Sequence, residues 1–286
     1  MLSNKVSEIM TTNVVTAEVS NTIFDVMEMM VAKDLGRVVI TDNQIPVGIF
    51  TEKDVLKRVM NKKLDPKKSS IKRVMTSPIR TVRADTHIVE ALGRMVKGKF
   101  RHLLVRGDKG EIVGMVTMRR ILKLAVELGQ GLRETQTVGS IMSKNPITVD
   151  TSKSIYETIE TMIKVDKVCV VLVSRGAPKG IFTERDVLKR VALKNLDTKK
   201  TPIKEIMTAD LVTAPRSALI GEVLAEMYKG DFRNMPILGE KGDLAGIVSM
   251  ADVLLYAKAL DVDEKVRKAW KEVEEFWDSE EHYTPG

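Results

Sequence analysis

Apolar residues recur at helical spacing in four separate stretches of the chain. Within each stretch the apolar positions are mostly three or four residues apart, which places them on one face of an α-helix. The four sets are Ile23, Met27, Met30 and Val31; Ile88, Leu92, Met95 and Val96; Ile155, Ile159, Met162 and Ile163; and Ile220, Leu224 and Met227. The pattern therefore predicts four amphipathic helices, each with one face towards a core.

A short run rich in β-branched residues follows each predicted helix, and a turn signal and a second apolar run come next. The first of these runs lie at residues 38–40, 103–105, 170–172 and 235–237. A Thr or Ser then opens a further helix, predicted in the first copy at Glu52–Met60. Each copy is therefore predicted to be strand, helix, strand, strand, helix, and the fold class to be α/β (α+β).

These copies are related by two periods. The segment GIFTEKDVLKRV at residues 48–59 returns as GIFTERDVLKRV at residues 180–191, a displacement of 132 residues. Shorter Met-Thr or Met-Ser phrases place their Met at residues 10, 75, 142 and 207, with spacings of 65, 67 and 65. The chain is thus a four-fold array of units. Since units of this size bury too little surface alone, we expect them to pair.

We predict two modules of two repeats each. Module 1 spans residues 1–128, with repeat 1 at about 1–62 and repeat 2 at about 66–128. Residues 129–137 form a linker, and module 2 spans residues 138–260, with repeat 3 at about 138–195 and repeat 4 at about 200–260. Residues 261–286, which carry both Trp residues, are predicted to form an acidic C-terminal helix and tail.

Composition limits the class of protein. Hydrophobic residues make up 43% and charged residues 30% of the chain, which is typical of a soluble globular protein. No membrane span or signal core is visible, and a single Cys fits a reducing, cytoplasmic setting. The net charge of +7 combines about −5 after residue 260 with about +12 before it. The basic body favours an anionic partner, either nucleotide phosphates or nucleic acid.

One motif recurs where the last strand of each repeat meets its helix. A glycine is followed three residues later by a hydroxyl residue and then, after three more, by an acid in repeats 1, 3 and 4. Such a hydroxyl–carboxylate pair caps a helix. The glycine lets another group approach the backbone, the helix N-terminus and hydroxyl suit a phosphate, and the acid suits ribose hydroxyls. The recurring combination therefore predicts ribonucleotide sites without catalytic machinery.

The sequence offers no arrangement for catalysis or metal binding. The three His residues, at 87, 102 and 282, and the single Cys, at 169, are far apart, so no zinc-ligand spacing exists. No Ser-His-Asp or paired-carboxylate arrangement can be identified either. We therefore expect neither an enzyme nor a metal protein.

Across about residues 1–260, the four repeats resemble cystathionine-β-synthase (CBS) domains. The resemblance implies that they pair into Bateman modules, which bind adenosine ligands such as AMP, ADP, ATP or S-adenosylmethionine, with no other cofactor required. It implies that the hydroxyl contacts phosphate and the acid holds ribose, at Thr51 and Asp54, Thr183 and Asp186, and Ser249 and Asp252. Repeat 2 has Thr117 and Arg120 instead, a degenerate site, and this order is similar to that in the γ subunit of AMP-activated protein kinase.

The same resemblance implies that each cleft is built across a pair of repeats. It places phosphate-binding side chains Arg101 and His102 opposite Asp54. Arg233 takes that place opposite Asp186, and Lys167 opposite Asp252. The adenine is expected to lie against apolar residues of the opening strands, for which the candidates are Val15, Ile147 and Val212.

The leading hypothesis is a non-catalytic adenine-nucleotide sensor that acts on a partner protein, since the sequence contains no attached effector domain. The resemblance also suggests a homodimer. An S-adenosylmethionine sensor is an alternative within the same class. Two alternatives come from other classes: a nucleic-acid binder that uses the basic surface, for which interleaved aromatic residues are missing, and a scaffold in which the boxes only cap helices.

Overall fold

The computed structural model describes residues 5–61, 64–98, 100–121, 136–194 and 196–259. The predicted acidic C-terminal helix, residues 129–135 of the predicted linker and the side chains of residues 254, 255 and 257–259 lie outside the described residues. Within these ranges, no helix combines the length and the apolar character that crossing a membrane requires.

The two repeats of module 1 have the same order of elements. Repeat 1 contains α1 (Val6–Ile9), β1 (Thr16–Glu18), α2 (Ile23–Ala32), β2 (Arg37–Asp42), β3 (Ile45–Thr51) and α3 (Glu52–Asp54), which continues as a π-helix over Val55–Met60. Repeat 2 contains a 3₁₀ turn (Ile71–Arg73), β4 (Thr81–Arg83), α4 (Ile88–Lys97), β5 (His102–Arg106) and β6 (Ile112–Thr117), and residues 118–121 begin its last helix.

Module 2 repeats this order. Repeat 3 contains α5 (Val138–Ile141), β7 (Thr148–Asp150), α6 (Ile155–Lys164), β8 (Cys169–Ser174), β9 (Ala177–Thr183) and α7 (Glu184–Asp186), which continues as a π-helix over Val187–Ala192. Repeat 4 contains a 3₁₀ turn (Ile203–Glu205), β10 (Ala214–Pro215), α8 (Ile220–Lys229), β11 (Asn234–Leu238), β12 (Leu244–Ser249) and α9 (Met250–Ala259).

Each repeat forms its own three-stranded mixed sheet, with the strands in sequence order. The first strand pairs parallel with the second, and the second pairs antiparallel with the third; in repeat 1, Thr16 lies beside Val39 and Val39 beside Ile49. The helix between the first two strands supplies the crossover that a parallel pair requires. This order confirms the predicted strand-helix-strand-strand-helix unit and the α/β class.

Repeats 1 and 2 exchange short segments, as do repeats 3 and 4. The backbone N–H of Ile49 in β3 donates to the carbonyl of Thr76, and Thr76 donates back to Ile49. In return, Thr11 pairs in the same way with Met115 in β6. Repeats 3 and 4 show the same exchange, with Ile181–Thr208 and Ser143–Ile247 as the bridging pairs. The segment after each Met therefore runs from the sheet of its partner repeat into its own sheet.

The largest apolar cluster joins repeats 1 and 3, which belong to different predicted modules. Its buried side chains include Leu56 and Val59 from the first π-helix and Leu188 and Val191 from the second. Repeats 2 and 4 also meet, because the hydroxyl of Tyr228 in α8 donates to the carbonyl of Arg119. The four repeats thus contact one another in two ways: 1 with 2 and 3 with 4 along the strands, and 1 with 3 and 2 with 4 through helices and their ends.

Candidate nucleotide clefts and a central ionic cluster

Three of the four motifs form complete capping boxes. Both the backbone N–H and the hydroxyl of Thr51 donate to Oδ2 of Asp54, at 2.9 and 2.7 Å, and the Asp54 N–H donates back to the hydroxyl at 3.4 Å. The Thr183–Asp186 box has nearly the same distances, 2.9, 2.8 and 3.4 Å. The Ser249–Asp252 box closes at 2.7, 2.7 and 3.3 Å. In each box Oδ2 serves the cap, so the second carboxylate oxygen remains for other donors.

In the Asp54 and Asp186 boxes, this second oxygen faces an arginine from the next helical turn. Arg58 Nε lies 3.5 Å from Oδ1 of Asp54, and Arg190 Nε lies 3.4 Å from Oδ1 of Asp186. Asp54 also accepts a 3.1 Å hydrogen bond from the hydroxyl of Thr76, which comes from the partner repeat. Burial raises the pKa of the Asp54 carboxyl, although the hydrogen bonds from Thr51 and the charge of Arg58 act in the opposite direction.

The motif of repeat 2 keeps the cap hydroxyl but has no carboxylate. The N–H of Arg120 donates to the hydroxyl of Thr117 at 3.1 Å, and the Arg120 side chain is exposed. The helix start is therefore capped on one side only, and an acceptor for ribose hydroxyls is missing at this position.

The glycine before each box packs against the partner repeat. A β-carbon at Gly48 would lie 2.5 Å from Met75 Sδ, and one at Gly180 would lie 2.5 Å from Met207 Sδ and 2.9 Å from the Thr208 carbonyl. Gly114 and Gly246 stand in the same relation to Met10 and Met142. The sequence predicted a close approach at these glycines, and the approaching group is the Met of the partner repeat. The recurring Met and Gly are thus two halves of one contact.

The starts of the second strands converge with the boxes of repeats 1 and 3. This central ionic cluster consists of Arg37, Arg101, His102, Arg185, Arg233, Glu52 and Glu184. Glu52 and Glu184 are the second residues of their boxes and are only 2% and 3% exposed. Arg101 pairs with Glu184 at 2.5 Å, and Arg185 pairs with Glu52 at 3.0 Å. Arg233 reaches both acids, at 3.1 Å from Glu52 and 3.4 Å from Glu184.

Positive charge is in excess in the central ionic cluster. Burial lowers the pKa of His102 well below its usual value of 6.5, and the charges of Arg37 and Arg101 lower it further, so His102 is neutral. The cluster then holds four arginines and two glutamates. Burial, with the charge of Arg233, also lowers the pKa of Arg37 to about 10, and Arg37 Nε donates to Met115 Sδ rather than to a carboxylate. An anion placed here would relieve the repulsion between these cations.

The remaining predicted residues are more dispersed. The carbonyls of Val15 and Ile147 accept from Val39 and Val171, so both residues open their sheets as expected. Val212 is 45% exposed although it is apolar. Lys167 is exposed at the end of the loop before β8 and takes no part in the central ionic cluster. The expectation of no metal site stays a prediction; within the described ranges, no three His, Cys, Asp or Glu side chains are grouped as metal ligands would be.

The repeats match a known family. A family model for the CBS domain matches residues 6–61, 71–127, 138–193 and 203–259. The chain belongs to the CBS domain family. All four repeats are CBS domains, including the second one with its Arg120.

Two solved structures superpose on most of this chain. A Methanocaldococcus jannaschii protein described as a candidate archaeal homologue of g-AMPK superposes with a TM-score of 0.78, 19% identity and coverage of 88% of this chain and 99% of that chain. A conserved protein from Pyrococcus horikoshii superposes with a TM-score of 0.60 and 20% identity, again over 88% of this chain and 99% of the other. At such identities the likeness shows the fold alone.

Among curated proteins, the Arabidopsis thaliana CBS domain-containing protein CBSCBSPB1 is 26% identical over 276 residues, which cover 83% of this chain and 51% of that protein. The Schizosaccharomyces pombe meiotically up-regulated gene 70 protein is 24% identical over 297 residues, 82% of this chain and 41% of that protein. The chain thus spans about half the length of the curated relatives it matches.

The cluster at the centre of the four CBS domains contains residues that the sequence reasoning missed. Glu52, Glu184, Arg185 and Arg37 were not among the predicted site residues. One sequence signal was available: the residue after the cap hydroxyl is Glu in repeats 1 and 3 but Met in repeats 2 and 4, at Met118 and Met250. An acid that alternates with an apolar residue at equivalent positions indicates two different environments.

Proposed function

We propose that this CBS-domain protein is a non-catalytic regulatory protein that binds adenine nucleotides in clefts at Asp54, Asp186 and Asp252. In this proposal Thr51, Thr183 and Ser249 contact phosphate, the three acids hold ribose, and Val212 and Ile147 lie against adenine. The phosphates lie towards Arg101, His102 and Arg233, with Lys167 serving the third cleft. Ligand binding changes how a partner protein is bound.

The observation that carries the proposal is the excess positive charge of the central ionic cluster. Cations without equal countercharge are costly to bury. Four arginines and two glutamates leave an excess of two positive charges, since burial keeps His102 neutral. Arg185 also pairs with Asp231, but Asp231 is shared with Arg119, so five arginines against three acids leave the same excess of two. A phosphate monoester carries about −1.5 to −2 charges at neutral pH. One nucleotide monophosphate would therefore balance the cluster, which makes AMP the first ligand to test.

Exposed apolar surface next to a box supports the adenine side of the proposal. Val212 comes four residues after Thr208, which pairs with Ile181 of β9, the strand that leads into the Asp186 box. The Val212 side chain is 45% exposed although it is apolar, and an adenine ring would cover it. Residue 15 in repeat 1 has the equivalent position beside the degenerate Arg120 box, so we assign Val15 no ligand in this proposal.

The test is a calorimetric titration of the protein with AMP, ADP, ATP and S-adenosylmethionine, alongside an Asp54→Ala, Asp186→Ala double variant. We expect saturable binding of AMP, and in the double variant the affinity of the Asp54 and Asp186 clefts should fall by at least about tenfold, because each ribose loses a charged hydrogen-bond acceptor, while the Asp252 cleft still binds. The Arg120→Ala variant is the matched control, since its box has no carboxylate to lose, and its affinity for AMP should stay unchanged.

Two results would contradict the proposal. If the folded wild type binds none of the four ligands, the boxes have helix capping as their role and do not bind nucleotide. Equal AMP binding by wild type and double variant would place the ligand elsewhere. A preference for S-adenosylmethionine over all three nucleotides would keep the clefts but replace the nucleotide by the alternative adenosine ligand.

A further inference from the structure

Glu52 and Glu184 have an unusual position for buried acids. Each follows a cap hydroxyl as the first residue of its helix, each pairs with arginines of the central ionic cluster, and each is at least nine-tenths buried. Burying a carboxylate costs several kcal/mol unless it is paired. Their partners are the arginines predicted to bind ligand phosphate, so these acids occupy the same donors that a phosphate would use.

The pairing crosses between the two clefts. Arg101 is the predicted phosphate ligand of the Asp54 cleft, but its partner Glu184 belongs to the box of Asp186. Arg233 is the predicted phosphate ligand of the Asp186 cleft, but it lies 3.1 Å from Glu52, which belongs to the box of Asp54. Each arginine is therefore held by an acid from the other cleft, and Arg233 also reaches Glu184 at 3.4 Å.

The two acids are not equally satisfied. Glu52 uses both oxygens, with Oε1 accepting from Arg185 and Oε2 from Arg233. Glu184 uses only Oε1, which is shared by Arg101 and Arg233, and its buried Oε2 has no hydrogen-bond partner among the described residues. Residue 53, equivalent to Arg185, is a lysine, so the guanidinium that would complete the symmetry is absent. Glu184 thus depends more on Arg101 than Glu52 depends on Arg233.

We propose that Glu52 and Glu184 compete with the ligand's phosphate for Arg233 and Arg101, and that they couple the Asp54 and Asp186 clefts so that AMP in one weakens AMP binding in the other. This inference rests on the proposed function. A phosphate that takes Arg101 leaves Glu184 with Arg233 alone, so Arg233 is held more firmly and is less available to the second cleft. The charge balance acts in the same direction, because the first phosphate neutralises the excess that would attract the second.

The experiment uses the full-length chain with Asp252→Ala, which leaves the two coupled clefts, and measures AMP binding by calorimetry. We expect two AMP binding steps. The second step should be about tenfold or more weaker than AMP binding to the Asp186 cleft alone, measured in a variant that also carries Asp54→Ala. Glu184→Gln should raise the AMP affinity of the Asp54 cleft by about tenfold and bring the two steps together. Glu52→Gln should act in the same direction but more weakly, because Arg185 remains.

Two controls separate competition from a general change in charge. Glu28→Gln removes one negative charge from an exposed position on α2, and it should leave both AMP steps unchanged. Adenosine, which lacks the phosphate, should bind wild type and Glu184→Gln equally. Should the Gln variant fail to fold, Glu184→Asp keeps the charge and shortens the side chain, and it should raise AMP affinity in the same direction by a smaller factor.

The outcomes distinguish this inference from the proposed function. Two independent AMP steps that neither Glu184→Gln nor Glu184→Asp changes would overturn the coupling while the nucleotide clefts stand. A rise in adenosine affinity equal to the rise in AMP affinity would also overturn it, because the acids would then act on the cleft as a whole. Absence of any AMP binding by the folded protein would overturn both.

Discussion

Asp54 already accepts hydrogen bonds from three donors within the protein, and this decides how its removal should be tested. It accepts from the N–H and hydroxyl of Thr51 and from the hydroxyl of Thr76. A change to Ala removes the cap together with any ligand contact, and loss of a cap costs about 1 kcal/mol. Asn keeps an oxygen that can accept the cap hydrogen bond but loses the charge that a ribose clamp would use.

We therefore predict that Asp54→Asn separates capping from ligand binding. Its free energy of unfolding should stay within about 1 kcal/mol of wild type, while AMP affinity at this cleft falls by about tenfold. Chemical denaturation and calorimetry measure the two quantities. Unchanged AMP affinity in this variant would favour the scaffold hypothesis, in which the box only caps its helix.

The stability difference between this variant and wild type should depend on pH. Burial raises the folded-state pKa of Asp54 above its ordinary value of 3.8, so folding favours the protonated form. The stability from this group is present below pH 3.8 and is lost as pH rises through the raised pKa. Asn cannot ionise and avoids that loss. Denaturation curves should therefore show that the stability of Asp54→Asn relative to wild type improves as the pH rises from about 4 to about 7. The opposite trend would show that the hydrogen bonds to the Asp54 carboxylate outweigh the effect of burial on its pKa.

A second prediction at this scale concerns the glycine before the third box. In Gly180→Ala the new methyl group would lie 2.9 Å from the Thr208 carbonyl and 2.5 Å from Met207 Sδ. The methionine can move, but the backbone carbonyl is fixed by its bridge to Ile181, so overpacking should cost about 1–3 kcal/mol in urea denaturation. The control Gly221→Ala lies in α8 with nothing within 4 Å, and it should stabilise by about 0.5–1 kcal/mol.

Some of the site could be predicted from sequence because its geometry is local. A hydroxyl and an acid three residues apart meet on the first turn of any helix, so the boxes at Thr51, Thr183 and Ser249 followed from spacing alone. The partner of Arg101 did not, because Glu184 is 83 residues away and belongs to the other predicted module. Spacing within one repeat contains no information about which repeat lies across the centre.

At the scale of elements, periodicity predicted the four amphipathic helices correctly. Ile23, Met27 and Met30 are fully buried on one face of α2, and the equivalent residues of α6 and α8 are also buried. The predicted helix Glu52–Met60 is present but changes from α-helix to π-helix after Asp54. Its apolar residues also pack against the equivalent segment of repeat 3, a contact that a single-repeat pattern does not contain.

These two π-helices give a prediction about stability. Leu188 is fully buried in the cluster that joins repeats 1 and 3, so Leu188→Ala removes apolar contacts on both sides of that junction. We expect a loss of about 2–5 kcal/mol in the free energy of unfolding, measured by urea denaturation. Ile45→Ala, at a position that is 66% exposed, is the control and should change stability by less than about 0.5 kcal/mol. A loss below about 1 kcal/mol for Leu188→Ala would mean that the junction repacks.

At the scale of the whole molecule, the two halves are related by an approximate twofold arrangement. Lys57 of repeat 1 pairs with Asp166 of repeat 3, and Lys189 of repeat 3 pairs with Asp34 of repeat 1. The segments that meet are nearly identical, Val55–Met60 against Val187–Ala192. Such an interface between two halves of one chain has the self-complementary form of a twofold dimer interface.

This arrangement predicts the behaviour of the isolated first half. In a fragment of residues 1–128, the face that normally packs against repeat 3 would be uncovered, and a second copy of repeat 1 offers nearly the same apolar residues. Lys57 of each copy could then pair with Asp34 of the other, as Lys189 does in the intact chain. We therefore expect the fragment to be a homodimer by sedimentation equilibrium. Lys57→Glu should weaken this dimer, because it places like charges opposite each other. Lys68→Glu, at an exposed position between the last helix of repeat 1 and the 3₁₀ turn of repeat 2, should not. A fragment that stays monomeric would show that the junction between repeats 1 and 3 depends on features that only repeat 3 supplies, foremost the guanidinium of Arg185 beside Glu52.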